Sequence, residues 1–197
     1  MRSAVILVGG EARRANGQEK YFFVYEGKTF IERLIESLTQ VVDEIILVAR
    51  DPEQCKRFNK INGVRCITDI RTGRGPIGGL HAGSLAARGD VLFVSACDMP
   101  CVDPKVIAHL FKSIDNYDAA IPSWNPEMLE PLHAVYRRTA LIRYLENHAS
   151  LSLRSMVREL DTLYVPIDEI RVIDRELITF TNINKIEDLE RINNPKK

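Results

Sequence analysis

Residues 5–20, VILVGGEARRANGQEK, join an apolar run to two glycines and then to a segment rich in cations. The run predicts a buried strand, because short apolar segments bounded by glycine are typical of strands in sheets covered on both faces. Gly9 and Gly10 bring no side chains, so backbone N–H groups beyond the strand can closely approach an anion. Arg14 and Lys20 add movable positive charge. The segment therefore predicts a loop that binds an anionic ligand, with a glycine turn carrying solvated surface cations as the alternative.

Strand-like and helix-like segments alternate along the remaining chain. Short apolar runs rich in β-branched residues predict strands within these segments: 43–49, 63–68, 90–96, 117–122, 132–137 and 161–167. A helical spacing of apolar residues predicts helices within these segments: 29–40, 51–59, 76–88, 103–114, 152–160 and 185–193. Ser150 and Asn184 are N-cap candidates for the last two helices. The alternation predicts an α/β fold with three layers, in which a mostly parallel, Rossmann-like sheet lies between two layers of helices.

Length and composition predict one domain. The chain has 197 residues, of which 45% are hydrophobic and 27% charged, as is usual for a globular protein. We expect a single domain over residues 1–192 and a flexible tail over 193–197. Lysine plus arginine and aspartate plus glutamate number 27 each, so there is no overall basic field for nucleic acid or an anionic membrane. No apolar stretch has the length of a signal peptide or membrane span. The sequence therefore predicts a cytoplasmic protein with neither a nucleic-acid nor a membrane partner.

The four cysteines do not form a recognisable metal or redox motif. Cys55, Cys66, Cys97 and Cys101 include no CxxC pair, and two of them lie in strand-like apolar runs. Free cysteine packs as a small hydrophobic residue. We therefore expect inert, buried thiols, with a metal or redox site as the alternative.

Two aspartates follow predicted strands directly. Asp69 comes after residues 63–68, and Asp98 lies in CDMP after residues 90–96. Ligands of open parallel sheets bind beyond the carboxyl ends of the strands, where these carboxylates are expected. Mg²⁺ typically takes one or two protein carboxylates and completes its shell with water and substrate phosphates. Asp98 is therefore a candidate magnesium ligand, although a turn or N-cap role is the alternative for both aspartates.

Five segments, in order along the chain, resemble one family. They are LVGGEARRANGQEK (7–20), RGPIGGL (74–80), CDMP (97–100), EPLHAVY (130–136) and FTNINKIEDL (180–189). Together they resemble the signatures of the molybdenum cofactor guanylyltransferases, a branch of the nucleotide-diphospho-sugar transferase-like nucleotidyltransferases. The resemblance covers nearly the whole chain and implies a sheet of the nucleotide-diphospho-sugar transferase type.

The resemblance also implies roles for individual residues. It implies Asp98, Lys20 and Arg14 as catalytic residues, with Asp98 as the ligand of Mg²⁺. It implies the following nucleotide-binding set: Leu7, Val8, Gly9, Gly10, Lys20, Asp69 and Asp98. It implies the following molybdopterin-binding set: Gly75, Gly79, Arg154, Asn182 and Asn184.

The implied reaction is a nucleotidyl transfer between GTP and molybdopterin, the pterin of the molybdenum cofactor. The terminal phosphate of molybdopterin would attack the α-phosphorus of GTP, giving molybdopterin guanine dinucleotide and pyrophosphate. No general base is required, because a phosphate monoester is already ionised near pH 7. Molybdoenzymes or their chaperones are the implied recipients of the product. The alternatives are a cytidylyltransferase, another nucleotidyltransferase of the same fold, or a degenerate nucleotide-binding protein without transfer activity.

Several positions depart from the family pattern or add to it. Val8 stands where the family has alanine, so its added methyl groups are expected to shift the base or narrow its pocket. Ala15 and Asn16 replace methionine and glycine, which could reshape the turn of the loop. Arg71 and Arg74 are candidates for phosphate contacts or solvated loop cations. Trp124 is expected in a long polar loop, as a lid or pterin-stacking face, or as an anchor of that loop on the core.

Overall fold

The computed structural model describes residues 1–9, 19–71, 73, 75–148 and 152–183, and of Lys20 only the backbone. Within these ranges the strands are β1 (Arg2–Leu7), β2 (Val24–Tyr25), β3 (Lys28–Thr29), β4 (Glu44–Ala49), β5 (Arg65–Thr68), β6 (Val91–Ala96), β7 (Ala119–Asn125), β8 (Met128–Leu129), β9 (His133–Arg137) and β10 (Thr162–Pro166). The α-helices are α1 (Phe30–Leu38), α2 (Pro52–Lys56), α3 (Pro76–Ala86), α4 (Pro104–Ser113), α5 (Arg138–Asn147), α6 (Leu153–Glu159) and α7 (Ile167–Arg171). Two 3-10 turns span Lys20–Phe22 and Ile178–Phe180.

The central sheet runs in the order β10-β7-β9-β6-β1-β4-β5, and β8 pairs with β7 beside this path. β1 is parallel to both β4 and β6, and β5 is parallel to β4. β9 is antiparallel to β6 and β7, whereas β10 is parallel to β7. The predicted α/β fold with a mostly parallel sheet is therefore confirmed.

Alternating side chains of the strands form two hydrophobic cores on opposite faces of the sheet. On β1, Ala4 and Ile6 belong to one core, whereas Val5 belongs to the other. Helices α1, α2, α4 and α7 contribute to the first core, and α3, α5 and α6 contribute to the second. We call the two sides the α1 face and the α3 face. Together they form the predicted three layers.

Helix α3 approaches the sheet closely because glycines face the strands. A Cβ atom built on Gly79 would lie 3.0 Å from Leu7 Cδ2. A Cβ atom on Gly83, one turn further, would overlap Val5 Cγ1 and lie 3.3 Å from Val48 Cγ2. The two glycines therefore allow α3 to pack directly on β1 and β4.

Helices α5 and α7, strand β8 and the hairpin β2–β3 have no counterpart among the predicted elements. Helix α5 follows β9 without a turn, since Arg137 is both the last residue of the strand and the N-cap of the helix. The capping and turn residues that mark a helix start in sequence are therefore missing at this junction.

The last predicted segments, the helix within 185–193 and the tail over 193–197, lie outside the described residues. The same holds for the cap candidates Ser150 and Asn184. Helix α6 is capped by Ser152, whose hydroxyl accepts the N–H of Ser155. Among the described residues, no helix has both the length and the apolar character that a membrane crossing requires.

The expectation of four inert thiols is wrong for two of the cysteines. Cys55 of α2 and Cys66 of β5 form a disulfide, with their Cα atoms 5.8 Å apart. The pairing arises because α2 follows β4 and packs beside the neighbouring strand β5, a contact that spacing along the chain does not reveal. Cys97 and Cys101 are half-buried, and burial raises the pKa of the Cys101 thiol.

Candidate active site

The strand order brings the predicted site loops to one edge of the sheet. Gly9 follows β1, Asp69 follows β5 and Asp98 follows β6, and these parallel strands end at the same edge. The sheet first grows from β1 through β4 to β5, and β6 then joins on the other side of β1. Such a switch in strand order opens a crevice at the carboxyl ends of the strands. Asp98 divides this crevice into a β5 half (β1, β4, β5) and a β10 half (β9, β7, β10).

Val8 lies in the core rather than in the crevice. Its side chain is 1% exposed and packs in the α1-face core, and its N–H donates to Val48 O at 3.0 Å. The expectation that its extra methyl groups narrow the pocket of the base is therefore corrected, because they fill core space. Leu7 has the opposite orientation and packs half-buried in the α3-face core.

Gly9 is needed because two loops pass close to each other at the end of the sheet. A Cβ atom on Gly9 would lie 3.0 Å from the backbone nitrogen of Arg50 and 3.3 Å from its Cα. Contacts this short between a side chain and backbone require one loop to move. Gly10 and Arg14, and with them Ala15 and Asn16, lie outside the described residues, as does the side chain of Lys20.

The buried side chain of Gln54 connects both ends of the loop that carries the two glycines. Its amide N–H₂ donates to Val8 O and Tyr21 Oη, each at 3.1 Å, and lies 3.4 Å from Glu19 Oε1. Its carbonyl oxygen accepts the N–H of Arg50 at 2.7 Å. One side chain on α2 thus fixes the loop after β1, the loop after β4 and the segment that leads into Lys20. Because these partners are distant in sequence, no motif indicated Gln54.

Glu19 anchors the same segment from its other side. Its carboxylate forms an ion pair with Arg57 just beyond α2. Burial and the neighbouring Glu19 carboxylate raise the pKa of the Tyr21 hydroxyl, so Tyr21 stays neutral and keeps its proton for hydrogen bonding. The acidic position before Lys20 therefore holds the loop in place rather than facing a ligand.

Replacing Gln54 by methionine is expected to lower the free energy of unfolding by about 2–4 kcal/mol, because two buried backbone groups lose their partners. Methionine has a similar volume, so the loss is one of hydrogen bonding at Val8 O and Arg50 N. Urea unfolding measures it. Gln40→Met, at an exposed position just beyond the end of α1, is the control and is expected to change stability by less than about 0.5 kcal/mol. Equal stability of the two variants would contradict the structural role of Gln54.

Asp69 is held at the start of α3. Its N–H donates to Ala49 O at 2.8 Å, and its carboxylate accepts the N–H of Arg71 at 2.7 Å. A Cβ atom on Gly78 would lie 2.7 Å and 2.8 Å from the two carboxylate oxygens. Gly78 is therefore required for this carboxylate position, a role that the sequence did not indicate.

The loop between Asp69 and α3 contains two further candidates. Gly75, predicted to contact molybdopterin, is exposed at the N-cap of α3 with φ 62° and ψ −152°, a conformation that L side chains rarely adopt. Arg71 donates from Nη2 to Leu145 O at 3.0 Å in the last turn of α5. Its guanidinium therefore binds the end of a helix and is not a fully solvated loop cation. Arg74 lies outside the described residues.

Asp98 joins the centre of the crevice to the closing sequence motif. It lies half-buried in the turn after β6, and its backbone carbonyl accepts the N–H of Ile183 at 3.0 Å. Asn182, the preceding residue, is exposed beside it. The structure thus brings Asn182 next to Asp98, whereas Asn184 lies outside the described residues.

Asp98 offers one carboxylate to a magnesium ion that would take its other ligands from substrate phosphates and water. Within the described ranges, no group of three His, Cys, Asp or Glu side chains is arranged to enclose a metal ion. Magnesium does not need such a cage, since one or two carboxylates and phosphate oxygens are its usual ligands. Asp98, in the turn directly after β6, supplies one such carboxylate.

The residues predicted to bind molybdopterin fall into two groups. Gly79 is buried between α3 and the sheet, and Arg154 is exposed on α6, so both belong to the α3 side of the sheet. Asn182 follows Phe180, which packs in the core of the α1 face. The structure therefore does not bring the described members of the set together on one face.

A polar and aromatic cluster borders the β10 half of the crevice. Trp124 lies on β7, not in the expected polar loop, and its indole N–H donates to Glu130 Oε1 at 2.8 Å. Its ring packs at an angle against Phe180, with the ring centroids 5.8 Å apart. Burial raises the pKa of the Glu130 carboxyl group. Beneath them, complete burial lowers the pKa of His133 to about 3, so this imidazole is neutral.

The chain is similar to known proteins over nearly its whole length. The profile of the MobA-like NTP transferase domain matches residues 4–163. A probable molybdenum cofactor guanylyltransferase of Methanosarcina acetivorans is 41% identical over 199 residues, which cover 96% of this chain and 88% of that protein. A molybdenum cofactor guanylyltransferase of Desulfosudis oleivorans is 33% identical over 193 residues, which cover 96% of this chain and 93% of that protein.

A solved structure agrees with these sequence relatives. The molybdopterin-guanine dinucleotide biosynthesis protein A of Archaeoglobus fulgidus superimposes with a TM-score of 0.81 at 35% sequence identity. The match covers 97% of this chain and 96% of that protein. The agreement therefore includes both halves of the crevice.

Proposed function

The chain belongs to the MobA-like NTP transferase family, and from this premise we propose that it transfers GMP from GTP to molybdopterin, releasing pyrophosphate. One observation carries the proposal beyond family membership. Asp98 lies at the centre of a crevice whose β5 half ends in the glycine loop and Asp69, while the β10 half lies on the opposite side of Asp98. Two anionic substrates can thus meet at a single carboxylate.

In this proposal GTP occupies the β5 half of the crevice. The backbone at Gly9 and Gly10 contacts the nucleotide, and Arg14 and Lys20 neutralise its phosphates. Gln54 supports this role because it fixes the backbone on both sides of that loop. Asp69, oriented by the N–H of Arg71, lies where it can hold the nucleoside.

Phosphoryl-type transfer requires positioning and charge neutralisation more than covalent assistance. A magnesium ion bound by Asp98 would supply charge neutralisation on the transferring phosphate and the leaving pyrophosphate. The backbone of Asp98 is held in the turn after β6, where its carbonyl accepts the N–H of Ile183. Lys20 and Arg14 hold the phosphates in line for attack by the phosphate of molybdopterin. The acceptor phosphate needs no base, because it is ionised near neutral pH.

The activity is tested by pyrophosphate release from GTP, CTP and ATP with Mg²⁺, in the presence and absence of molybdopterin. We expect release that requires the acceptor and is fastest with GTP. Faster release with CTP would favour the cytidylyltransferase alternative. Binding of GTP in calorimetry without any release would favour the degenerate nucleotide-binding protein.

Replacing Lys20 by alanine is expected to weaken GTP binding about 10- to 100-fold, because a charge-assisted contact to phosphate is lost. Isothermal titration with GTP and Mg²⁺ measures the change. Lys60→Ala, at an exposed lysine beyond α2, is the control and should bind GTP like the parent protein. If Lys20→Ala binds GTP as tightly as the parent protein, Lys20 does not contact the phosphates and is a solvated surface cation.

Three further expectations remain predictions. They are the cytoplasmic location, the transfer of product to molybdoenzymes or their chaperones, and the assignment of Gly75, Gly79, Arg154, Asn182 and Asn184 to the acceptor. Of the last set, the position of Asn182 beside Asp98 gives the most direct support for an acceptor contact.

A further inference from the structure

We propose that Trp124 and Glu130 recognise the pterin ring of the acceptor, with Trp124 stacking on the ring and Glu130 accepting two N–H groups from its edge. This inference rests on the proposed function, because it takes molybdopterin as the second substrate. Neither residue belongs to the molybdopterin-binding set that the resemblance implies. Trp124 also lies outside the five sequence motifs.

The strand order places this pair on the acceptor side of Asp98. The nucleotide loops follow β1 and β5, which lie on one side of β6. Trp124 is near the end of β7 and Glu130 precedes β9, and both strands lie on the other side of β6. The N–H of Ala96, two residues before Asp98, donates to the carbonyl of Leu132 at 3.3 Å, which joins this region directly to the central strand.

The pair is held rigidly before any ligand arrives. The hydrogen bond between the Trp124 indole and Glu130 Oε1, at 2.8 Å, fixes the two side chains relative to each other. Phe180 supports the indole from one side, and Phe180 itself packs against the buried ring of His133. Trp124 nevertheless remains 38% exposed, so part of its ring surface is available for stacking. Rigid aromatic anchors of this kind bind planar ligands with little loss of entropy.

The chemistry of the pair matches a 2-amino-4-oxopyrimidine edge. Such an edge carries a ring N–H and an amino N–H side by side, and a carboxylate accepts both in the paired geometry that it also forms with arginine. Within the described part of the chain, the Glu130 carboxylate accepts a hydrogen bond from the Trp124 indole N–H, and this bond uses Oε1. Glu130 is half-buried, which strengthens a hydrogen bond to its carboxylate.

Guanine has the same edge as a pterin, so the position of the pair decides between them. A guanine held by the β5 half would place its base on the far side of Asp98 from Trp124. The second substrate, by contrast, must approach from the β10 half to bring its phosphate to Asp98. Asn182 lies in this same region. It follows Phe180, which packs against Trp124, and it precedes Ile183, whose N–H donates to the Asp98 carbonyl.

Trp124 is the single tryptophan of the chain, so its fluorescence reports directly on the site. We expect titration with 6-carboxypterin to quench this fluorescence saturably, and saturating GTP with Mg²⁺ to leave the pterin titration unchanged. Quenching by GTP that competes with the pterin would show that the pair binds guanine, and would overturn the inference. Absence of any quenching by the pterin would overturn it as well.

Variants separate recognition from folding. Glu130→Gln keeps the size of the side chain and an acceptor for the indole, but loses the second charged acceptor. We expect it to raise the KM for molybdopterin about 10- to 100-fold with little change in the KM for GTP. Trp124→Ala should raise the same KM about 10- to 100-fold through lost stacking. Glu127→Gln, at an exposed position of the same hairpin, is the matched control and should behave like the parent protein.

A ligand without the amino group completes the test. Lumazine carries an oxygen where pterin has its 2-amino group. Calorimetry should therefore show that the parent protein binds lumazine about tenfold or more weakly than pterin. Glu130→Gln should bind the two ligands with nearly equal affinity. An unchanged ratio in the variant would overturn the role of Glu130. Failure of the proposed function has a different signature, namely no pyrophosphate release by the parent protein with GTP and molybdopterin, whatever the pterin titrations give.

Discussion

Replacing Asp98 by asparagine is expected to lower kcat for pyrophosphate release by about 1000-fold. The magnesium ion that stabilises charge in the transition state would lose the carboxylate that binds it. The side chain keeps its size and the backbone contact from Ile183 does not depend on it, so the fold should persist. Release of pyrophosphate from GTP and molybdopterin measures the loss. A titration with Mg²⁺ should also show that the variant needs a higher concentration for its residual activity.

Asp90→Asn is a matched control for this experiment. Asp90 precedes the same strand, β6, at the opposite end, and its side chain is 79% exposed. We expect kcat and the Mg²⁺ requirement of this variant to equal those of the parent protein. Undiminished turnover of Asp98→Asn would remove Asp98 from the metal site, and a large loss of thermal stability would assign it a folding role instead.

Replacing Gly83 by alanine is expected to destabilise the protein by about 3 kcal/mol, although alanine favours helices by about 1 kcal/mol. The new methyl group would overlap Val5 Cγ1, and Val5 cannot turn away easily because it is β-branched and completely buried. Either α3 moves away from the sheet or the strand is strained. Thermal unfolding should show a melting temperature lower by about 6–12 °C.

Two further variants identify the clash as the cause. Gly79→Ala meets the flexible end of Leu7 at 3.0 Å, so it should cost less than Gly83→Ala in the same helix. Gly83→Ala combined with Val5→Ala should lose less stability than the sum of the single variants, because the second change makes room for the first. Strict additivity would contradict a direct contact between the two positions.

Much of the fold could be predicted because strands and helices produce periodic patterns among residues that are close in sequence. The apolar run before Gly9 and the alternation of strand and helix patterns predict the parallel sheet, and the structure confirms it. Asp69 and Asp98 could be predicted to lie near each other because they directly follow strands, whose carboxyl ends meet at one edge. Helix α5 was missed because no turn separates it from β9.

Other features depend on which residues the packed chain brings together. The disulfide between Cys55 and Cys66 requires α2 to lie beside β5, and the role of Gln54 requires two loops to meet above α2. The pairing of Trp124 with Glu130 depends on the hairpin that joins β7 to β9. None of these contacts follows from a periodic pattern.

The sequence by itself determined the fold class, the family and the strand ends at which we propose that the chemistry takes place, because periodicity and chain connectivity are local properties. Among the described residues at those strand ends, only the tertiary structure decided the direction in which each side chain points. Val8 is the clearest case: the resemblance implies a nucleotide contact for it, yet its side chain is directed into the core. Side-chain direction in a sheet reverses with every residue, and only packing on the two faces determines which direction is buried.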